Sequence, residues 1–581
     1  MKINKHKFLV ETSIFIIALG LRLIYLFQIR TAPDFDMPAV DALWHHLWAV
    51  DIANGNLIGK EAFFRAPLYP YLLGLIYSVF GVNYFTARVI QIIIGSLNCV
   101  LVYKLGGKIF NNKVGIIAAA ATAFYGPLIY FDAEYLMPVL IIFFNCSALL
   151  LFFEALEKNK TVLWVVTGII WGLSAITRPD ILFFVAVLLL LLYLAKRAIK
   201  PLVLVCLGVA IMILPVTLRN LYVGGDFVPI ASQGGINFYL GNNPVSDGKT
   251  AIAIEGKMPR MGFYEDNVKK SSIDLAERET GRKLKPSEVS NYWFKKSLDF
   301  MIGQPLIASS LFLKKIYYYL NSFEIESNKS IYTYKKFSPL LDKLVFSVKG
   351  IGFPFGVIFP LAILGIIIAL TEKRNIYIYI GLALILANLL TVTAFFVVSR
   401  FRIAIIPVIA IFATYALYRL LIEGGRISKK KYAAYIAIFL FSYSLSNSWF
   451  FGVGKINYAR QYLLYAIAYD KKCELSKAEE YYNKSINEDN DNPYAYDNLG
   501  IIYYKQGKLS AAFEYFTKAA KCSHQIAEAY NNLGAFYAQT GQYLRALEEF
   551  KKALRVEPDF TAAINSIKTI DSIVGDKRNE R

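Results

Sequence analysis

The sequence predicts an all-α protein, in which a polytopic bundle of membrane-spanning helices is followed by a soluble array of helix pairs. Three observations predict it. Of the 581 residues, 56% are hydrophobic. Apolar runs close to membrane length recur from residue 8 to residue 450 and then stop. Beyond residue 459, a set of aromatic and small residues returns every 34 positions.

The apolar runs predict about eleven spans, with an error of one or two, because about 20 residues at ~1.5 Å rise cross the ~30 Å hydrocarbon layer. The runs at 161–177 and 181–195 are short, so a buried or tilted helix is the alternative there. The predicted spans are 8–28, 84–110, 114–131, 135–156, 161–177, 181–195, 201–218, 351–371, 376–398, 403–422 and 432–450.

The net charge of +20 follows the membrane topology. Lysine clusters such as Lys104 with Lys108, and Lys158 with Lys160, fall on one side of an alternating eleven-span chain, as the positive-inside rule requires. We therefore expect a cell-membrane protein with a cytoplasmic N-terminus, and no nucleic-acid partner. The first apolar run is too long for a signal peptide and lacks a small-residue cleavage site, so it predicts a retained span.

Four regions follow from this pattern. We expect an N-terminal transmembrane catalytic core with two outer loops (1–219), an extracytoplasmic loop domain (220–350), C-terminal transmembrane helices (351–450) and an extracytoplasmic repeat domain (459–575). Within the long loop, the glycine pair in "SQGGINFYLGNNPVSDG" predicts an ordinary turn in preference to an anion site. Residues 264–300 alternate charged and apolar positions, which indicates surface helices.

The C-terminal repeat has a register that resembles the tetratricopeptide repeat, a helix pair packed through small residues. Tyr496, Gly500 and Phe516 return as Tyr530, Gly534 and Phe550, and a weaker copy begins at Tyr462. Residues 561–575 would form the capping helix. Such arrays bind peptides or subunits. We therefore expect a docking or spacer domain that binds a protein partner and carries no catalytic residues.

The first outer loop, "TAPDFDMPAVDALWHHLWAVDIANGN", predicts a helix over 38–54. Asp41 and His45 share one face of that helix, and Trp44 with Trp48 is typical of membrane-interface anchors. For His45 and His46 together, interfacial packing is favoured over metal binding. A plain helix-start charge remains the alternative for Asp41.

The second outer turn, "YFDAEYLMP", places Asp132 and Glu134 at the edge of the hydrocarbon layer, where acids are expensive unless they bind something. Hard oxygen ligands of this kind suit a divalent cation such as Mg²⁺ or Mn²⁺.

Arginines collect at the outer membrane boundary, against the positive-inside tendency. Snorkelling explains any one of them, but five beside exposed acids predict a site for a phosphate at headgroup depth. The five are Arg65, Arg178, Arg219, Arg400 and Arg402.

Five motifs together resemble the C-type membrane glycosyltransferases, over roughly residues 8–422. They are "DALWHHLWAVDIANGN", "FFRAPLYPYLLGLIYSVFG", "YFTARVIQIIIGSL", "GGINFYLGNNP" and "SRFRIAIIP". The most similar branch comprises bacterial relatives of protein O-mannosyltransferases and lipid A aminoarabinose transferases. The resemblance implies a single-sugar polyprenyl-phosphate donor, an extracytoplasmic active site, inversion at the anomeric carbon and no nucleotide cofactor. The acceptor would be a protein, lipid or glycan.

The family's first-loop motif matches Asp41, Ala49 and Gly55, and its second-loop acids match Asp132 and Glu134. Many members carry an acid directly after the first aspartate, where this chain has Ala42. The resemblance therefore implies Asp41 as the catalytic base and a metal at the second-loop acids. The other expected site residues are Asp34, Asp36 and His45 on the acceptor side or in support, and Arg65, Arg178, Arg400 and Arg402 at the donor phosphate.

Two other classes remain open. A polysaccharide polymerase or ligase shares the many spans and the long loop, but would lack a first-loop acid followed by "APLYP". A non-catalytic scaffold that uses its repeats would leave the outer acids and arginines unexplained. A transporter is disfavoured, because only Arg22 clearly lies within a span.

Overall fold

The computed structural model describes residues 5–196, 198–249, 267–348, 350–373, 375–422, 428–523 and 525–579. They form two compact units, the first containing the described residues up to Lys455 and the second those from Ile456 onward.

The first unit is helical apart from one small hairpin, in which strand β1 (Phe346–Val348) pairs antiparallel with β2 (Ile351–Phe353). Its helices are α1 Lys5–Ile29, α2 Asp41–Ala53, α3 Leu68–Phe80, α4 Tyr84–Ile109, α5 Asn112–Ala123, α6 Gly126–Asp132, α7 Pro138–Lys158, α8 Thr161–Thr177, α9 Ile181–Lys196, α10 Ile199–Gly224, α11 Gly234–Gly241, α12 Asn267–Thr280, α13 Pro286–Gly303, α14 Pro305–Leu320, α15 Ile331–Tyr334, α16 Pro339–Leu344, α17 Phe355–Glu372, α18 Ile376–Ala394, α19 Ser399–Arg402, α20 Ile406–Leu417 and α21 Lys429–Ser446.

Each predicted span contains a helix, but the helices differ in length. Among the described residues, seven are long and apolar enough to cross a membrane, or eight if the bent pair α5–α6 counts as one span. That pair is bent by 61°. Helices α8 and α9 are apolar but short, and α21 begins with three lysines. The chain is a multi-pass membrane protein with an all-α fold.

Close helix contacts in this bundle depend on glycine. A Cβ atom on Gly168 of α8 would lie 2.2 Å from the carbonyl oxygen of Val205 in α10. A Cβ on Gly208 of α10 would lie equally close to the carbonyl oxygen of Val165. The two backbones therefore approach closely enough to exclude any larger side chain. This contact explains how the short helix α8 is held against the long helix α10.

The first outer loop is fixed to the end of α10. Asn220 of α10 accepts a hydrogen bond from the Phe63 N–H (3.0 Å) and donates to the carbonyl oxygen of Val228 (2.9 Å). The Ser232 N–H donates to the Phe63 carbonyl (3.0 Å). Helix α2 packs against α3, where Gly74 lies directly beside Ile52. The loop is thus a packed layer on the bundle.

The prediction of a turn at the glycine pair 234–235 was wrong, because these residues begin helix α11. A Cβ on Gly235 would lie 1.8 Å from the Ser290 carbonyl oxygen of α13. Glycine is therefore required here for close packing between two helices, a need that the local sequence does not reveal.

The second unit consists of three helix pairs and a final helix. Phe516 packs against Gly500 and Phe550 packs against Gly534, so the contact repeats at the predicted 34-residue period. The weaker copy also folds as a pair. The helices are α22 Tyr458–Lys471, α23 Leu475–Glu488, α24 Pro493–Lys505, α25 Leu509–Lys521, α26 Ala527–Gln539, α27 Tyr543–Val556 and α28 Thr561–Asn579.

Candidate functional site

Asp41 is the first residue of helix α2 and is largely buried. The residue before it, Val40, has a φ of 56°, a left-handed conformation that a β-branched residue rarely adopts. Such strain costs about 1–3 kcal/mol and persists only where the surroundings impose it. The chain therefore makes a strained turn immediately before this carboxylate.

Two arginines that are distant in sequence hold Asp41. Arg65 donates to one carboxylate oxygen and Arg400, of α19, donates to the other. The Arg65 guanidinium also lies over the Trp44 ring, 4.9 Å from its centre. The structure thus brings the predicted base and two of the predicted phosphate ligands into one ion-paired cluster.

This pairing sets the ionisation of Asp41. Burial alone would raise the pKa of the carboxyl, but the charges of Arg65 and Arg400 lower that pKa well below its ordinary value. Asp41 is therefore an anion at neutral pH, and a weak proton acceptor as long as both guanidiniums remain on it.

The arginines around Asp41 outnumber the carboxylates. Arg178 pairs with Asp180 (2.8 Å), and its guanidinium lies 4.1 Å from the centre of the Phe401 ring, which Arg400 also contacts. Burial lowers the pKa of Arg178, and the Arg400 charge lowers it further. Three guanidiniums (Arg65, Arg178, Arg400) against two carboxylates (Asp41, Asp180) leave one net positive charge. The buried Nε–H groups of Arg65 and Arg400 also lack hydrogen-bond partners.

Arg402, which the sequence analysis expects at the donor phosphate, does not join this cluster. It is buried and donates to the carbonyl oxygens of Tyr319 (3.0 Å) and Asn321. It also forms an ion pair with Glu324 (3.0 Å). Because these contacts fix loop backbone and neutralise a buried acid, Arg402 holds the end of α14 in place. Arg219 has a similar role, donating to the carbonyls of Ile58 (2.7 Å) and Glu61 (2.6 Å).

His45 lies one helical turn from Asp41 and is completely buried, with neither ring nitrogen hydrogen-bonded. Burial, followed by the charge of Arg65, lowers the pKa of His45 to about 3, so the ring is neutral. His46 differs, since its two nitrogens contact the hydroxyls of Tyr77 (3.0 Å) and Tyr84 (3.2 Å). Both histidines pack among aromatic rings, as favoured from the sequence.

A second buried cluster joins the first two outer loops to the long loop. Asp34 pairs with Lys329 (2.8 Å) and accepts a hydrogen bond from the Tyr334 hydroxyl (2.6 Å). The same lysine lies 3.7 Å from Glu134. Asp36, by contrast, is exposed. Lys329 was missed from the sequence, because one lysine in a polar loop of this length carries no signal.

The prediction of a metal at Asp132 and Glu134 is corrected by their partners. Asp132 pairs with Arg22 of α1 (2.7 Å), inside the bundle, whereas Glu134 faces Lys329. A divalent cation held by both acids would have to displace two fixed positive charges. The described residues contain no group of three or more His, Cys, Asp or Glu side chains that could hold a metal. These residues do not fit a metal centre.

The fold combines a multi-pass helical membrane unit with C-terminal helix pairs, and the comparisons with known families agree with both parts. Residues 64–220 match the family described as dolichyl-phosphate-mannose-protein mannosyltransferase. Residues 493–525 and 527–560 match tetratricopeptide repeats. The match over residues 64–220 agrees with the protein O-mannosyltransferase branch inferred from the motifs, and the repeat register is confirmed. No curated protein matches the chain.

Among solved structures, the chain is similar to the oligosaccharyltransferase of the archaeon Archaeoglobus fulgidus. The apo form aligns with a TM-score of 0.41 at 16% identity, over 81% of this chain and 59% of that one. The form with Zn and sulfate gives 0.38 at 14%, over 81% and 56%. The complex with an inhibitory peptide and a dolichol-phosphate gives 0.35 at 15%, over 80% and 59%. The chain spans less than two thirds of the length of that protein.

Proposed function

We propose that this protein transfers a single sugar from a polyprenyl-phosphate donor to an extracytoplasmic acceptor, with inversion. One observation carries the proposal: a buried carboxylate, Asp41, lies between Arg65 and Arg400 at the membrane boundary, with Arg178 beside them. The match of residues 64–220 to a family named for a lipid-phosphate-linked sugar supports the class of donor.

In this mechanism the arginines hold the donor phosphate. A phosphodiester carries one negative charge and gains a second as the sugar–oxygen bond breaks. The site has one net positive charge and unused guanidinium N–H groups to receive that charge. Stabilising the developing charge of a leaving phosphate lowers the barrier without any proton transfer to it. Arg65 and Arg400 supply the direct contacts, and Arg178 adds charge from beside Phe401.

Asp41 acts on the acceptor. The acceptor oxygen or nitrogen attacks the anomeric carbon, the carbon–oxygen bond to phosphate breaks with its electron pair, and the acceptor proton passes to Asp41. Without donor, the two arginines hold Asp41 as a poor base. A bound phosphate competes for the same guanidiniums, and the weaker pairing raises the proton affinity of the carboxylate. Donor binding thus prepares the base.

The remaining polar residues have supporting roles in this proposal. Neutral His45, one turn along α2, has two unpartnered nitrogens for a substrate hydroxyl once the cluster opens around the donor. Exposed Asp36 is available to an incoming acceptor. Asp34, neutralised by Lys329, holds the first outer loop to the long loop.

An apolar groove between α17 and α21 suits the isoprenoid chain of the donor. Its volume is about 550 Å³, and the lining includes Phe359 and Ile363 of α17, and Ile438 and Phe441 of α21. Leu320, at the end of α14, also lines the groove. The preceding residue, Tyr319, binds Arg402, two positions along the chain from Arg400. The groove therefore begins close to the segment that carries one phosphate ligand.

The co-purified lipid tests this function. Mass spectrometry of lipid extracted from the purified protein should detect a polyprenyl phosphate or its single-sugar ester. A variant with Arg65→Gln and Arg400→Gln should retain much less of it. A long glycan polymer on the parent protein would contradict the proposal and favour a polymerase or ligase.

The proposal also requires the site to face away from the cytoplasm. The positive-inside rule, applied to the lysines on the opposite turns, predicts that the outer loops and the repeats lie on the extracytoplasmic side. A reporter fused after residue 575 should therefore behave as exported, while the same reporter fused after Lys158 should behave as cytoplasmic. A cytoplasmic signal from the first fusion would show that the number of spans is even.

The repeats are proposed to bind an acceptor or a partner protein. No residue assigned to the donor or the base lies in 459–575, so the unit has no part in the proposed chemistry.

A further inference from the structure

The hairpin formed by α13 and α14 has an apolar tip. Residues 300–313, "FMIGQPLIASSLFL", contain no charged residue. In this segment Ile302 is 77% exposed, Leu306 86%, Ile307 54% and Leu313 65%. A soluble surface rarely presents so many large apolar side chains together without a partner. The preceding helix, α12, is by contrast rich in charged residues.

The helix that carries much of this exposed segment packs against a membrane span. Helix α14 packs against α18, one of the seven helices apolar enough to cross a membrane. Leu386 and Leu390 in the second half of α18 are each 47% exposed, as expected for side chains that face lipid. Phe312 and Leu313 on α14 are exposed as well. Exposed apolar side chains therefore lie on α14 and also on the membrane span that it packs against.

Charged residues flank this segment. Lys295 and Asp299 of α13 are exposed, and Lys314 of α14 is partly buried. Lysines at the ends of an apolar segment place their charges among lipid headgroups, and attract anionic ones. An uncharged apolar tip between charged flanks is the pattern of a segment that enters a membrane surface.

From these observations we propose that the tip of the α13–α14 hairpin inserts into the outer leaflet of the bilayer. The long loop is then held to the membrane at a point of its own, besides its covalent connections to α10 and α17. Helix α14 ends at Tyr319 and Leu320, beside Arg402 and the apolar groove. The insertion thus fixes the distance of Arg402 and the groove from the hydrocarbon layer.

Spin labels on the full-length protein in liposomes of phosphatidylcholine and phosphatidylglycerol test this proposal. Leu306→Cys and Ile302→Cys would each be labelled with a nitroxide in a Cys206→Ser, Cys473→Ser background. Each label should be more accessible to oxygen, which concentrates in lipid, than to a water-soluble nickel complex. Ser271→Cys, on exposed α12, is the matched control and should show the reverse preference.

Two results would overturn the proposal. Labels at 302 and 306 that respond to the nickel complex as the control does would place the tip in water. Labels shielded from both reagents, with shielding that depends on protein density in the membrane, would show that a second copy covers the tip.

Discussion

Replacement of Asp41 by asparagine should lower the rate of sugar transfer by at least about 100-fold, the usual loss when general-base assistance is removed. The side chain keeps its shape but can no longer take up the acceptor proton. Donor binding should be unchanged or tighter, because Arg65 and Arg400 lose the carboxylate that competes with the phosphate.

The measurement is single-turnover transfer together with binding of a polyprenyl phosphate, on folded protein. Asp51→Asn, at an exposed position of the same helix, is the matched control and should retain most of the rate. If Asp41→Asn transfers sugar at the parent rate, Asp41 serves only to hold the arginines. The base would then have to be sought at Asp34, Asp36 or Asp132.

Replacement of Arg400 by glutamine should weaken polyprenyl-phosphate binding by about 10- to 100-fold. A hydrogen bond to a charged group contributes about 1.5–3 kcal/mol, and every 1.4 kcal/mol changes the affinity about tenfold. Arg400→Lys should recover part of the affinity, since it restores the charge but not the two-pronged geometry. Titration of each purified variant with a polyprenyl phosphate, followed by intrinsic fluorescence, measures these changes.

Arg402→Gln is the informative comparison, because the two arginines are only two residues apart. It leaves Glu324 buried without its partner, and loss of one member of a buried pair costs about 3–5 kcal/mol. The midpoint of thermal unfolding should therefore fall, while the folded fraction binds donor as the parent does. Equal losses of donor affinity in both variants, with no loss of stability at 402, would contradict the separation of roles.

The helices and the repeats were predictable from the sequence because their signals are local and periodic. Apolar runs mark spans through length alone, and the contact of Gly500 with Phe516 recurs at Gly534 with Phe550. The helix in the first outer loop was also predictable, since Asp41, Trp44 and His45 stand three and four positions apart, the spacing of one helix face. Where charges or kinks interrupt an apolar run, as at the start of α21 and between α5 and α6, the number of spans could not be fixed.

The class of fold, the repeat period and the charged residues at the outer boundary can all be read from the sequence. How those charges pair depends on the folded structure. Arg400 meets Asp41, 359 positions away, whereas Arg402 turns toward Tyr319 and Glu324. Asp132 and Glu134 bind separate cations, Arg22 and Lys329, although only one residue separates them. The physical reason is that a buried charge requires a partner close in space, and sequence spacing carries no record of such a partner.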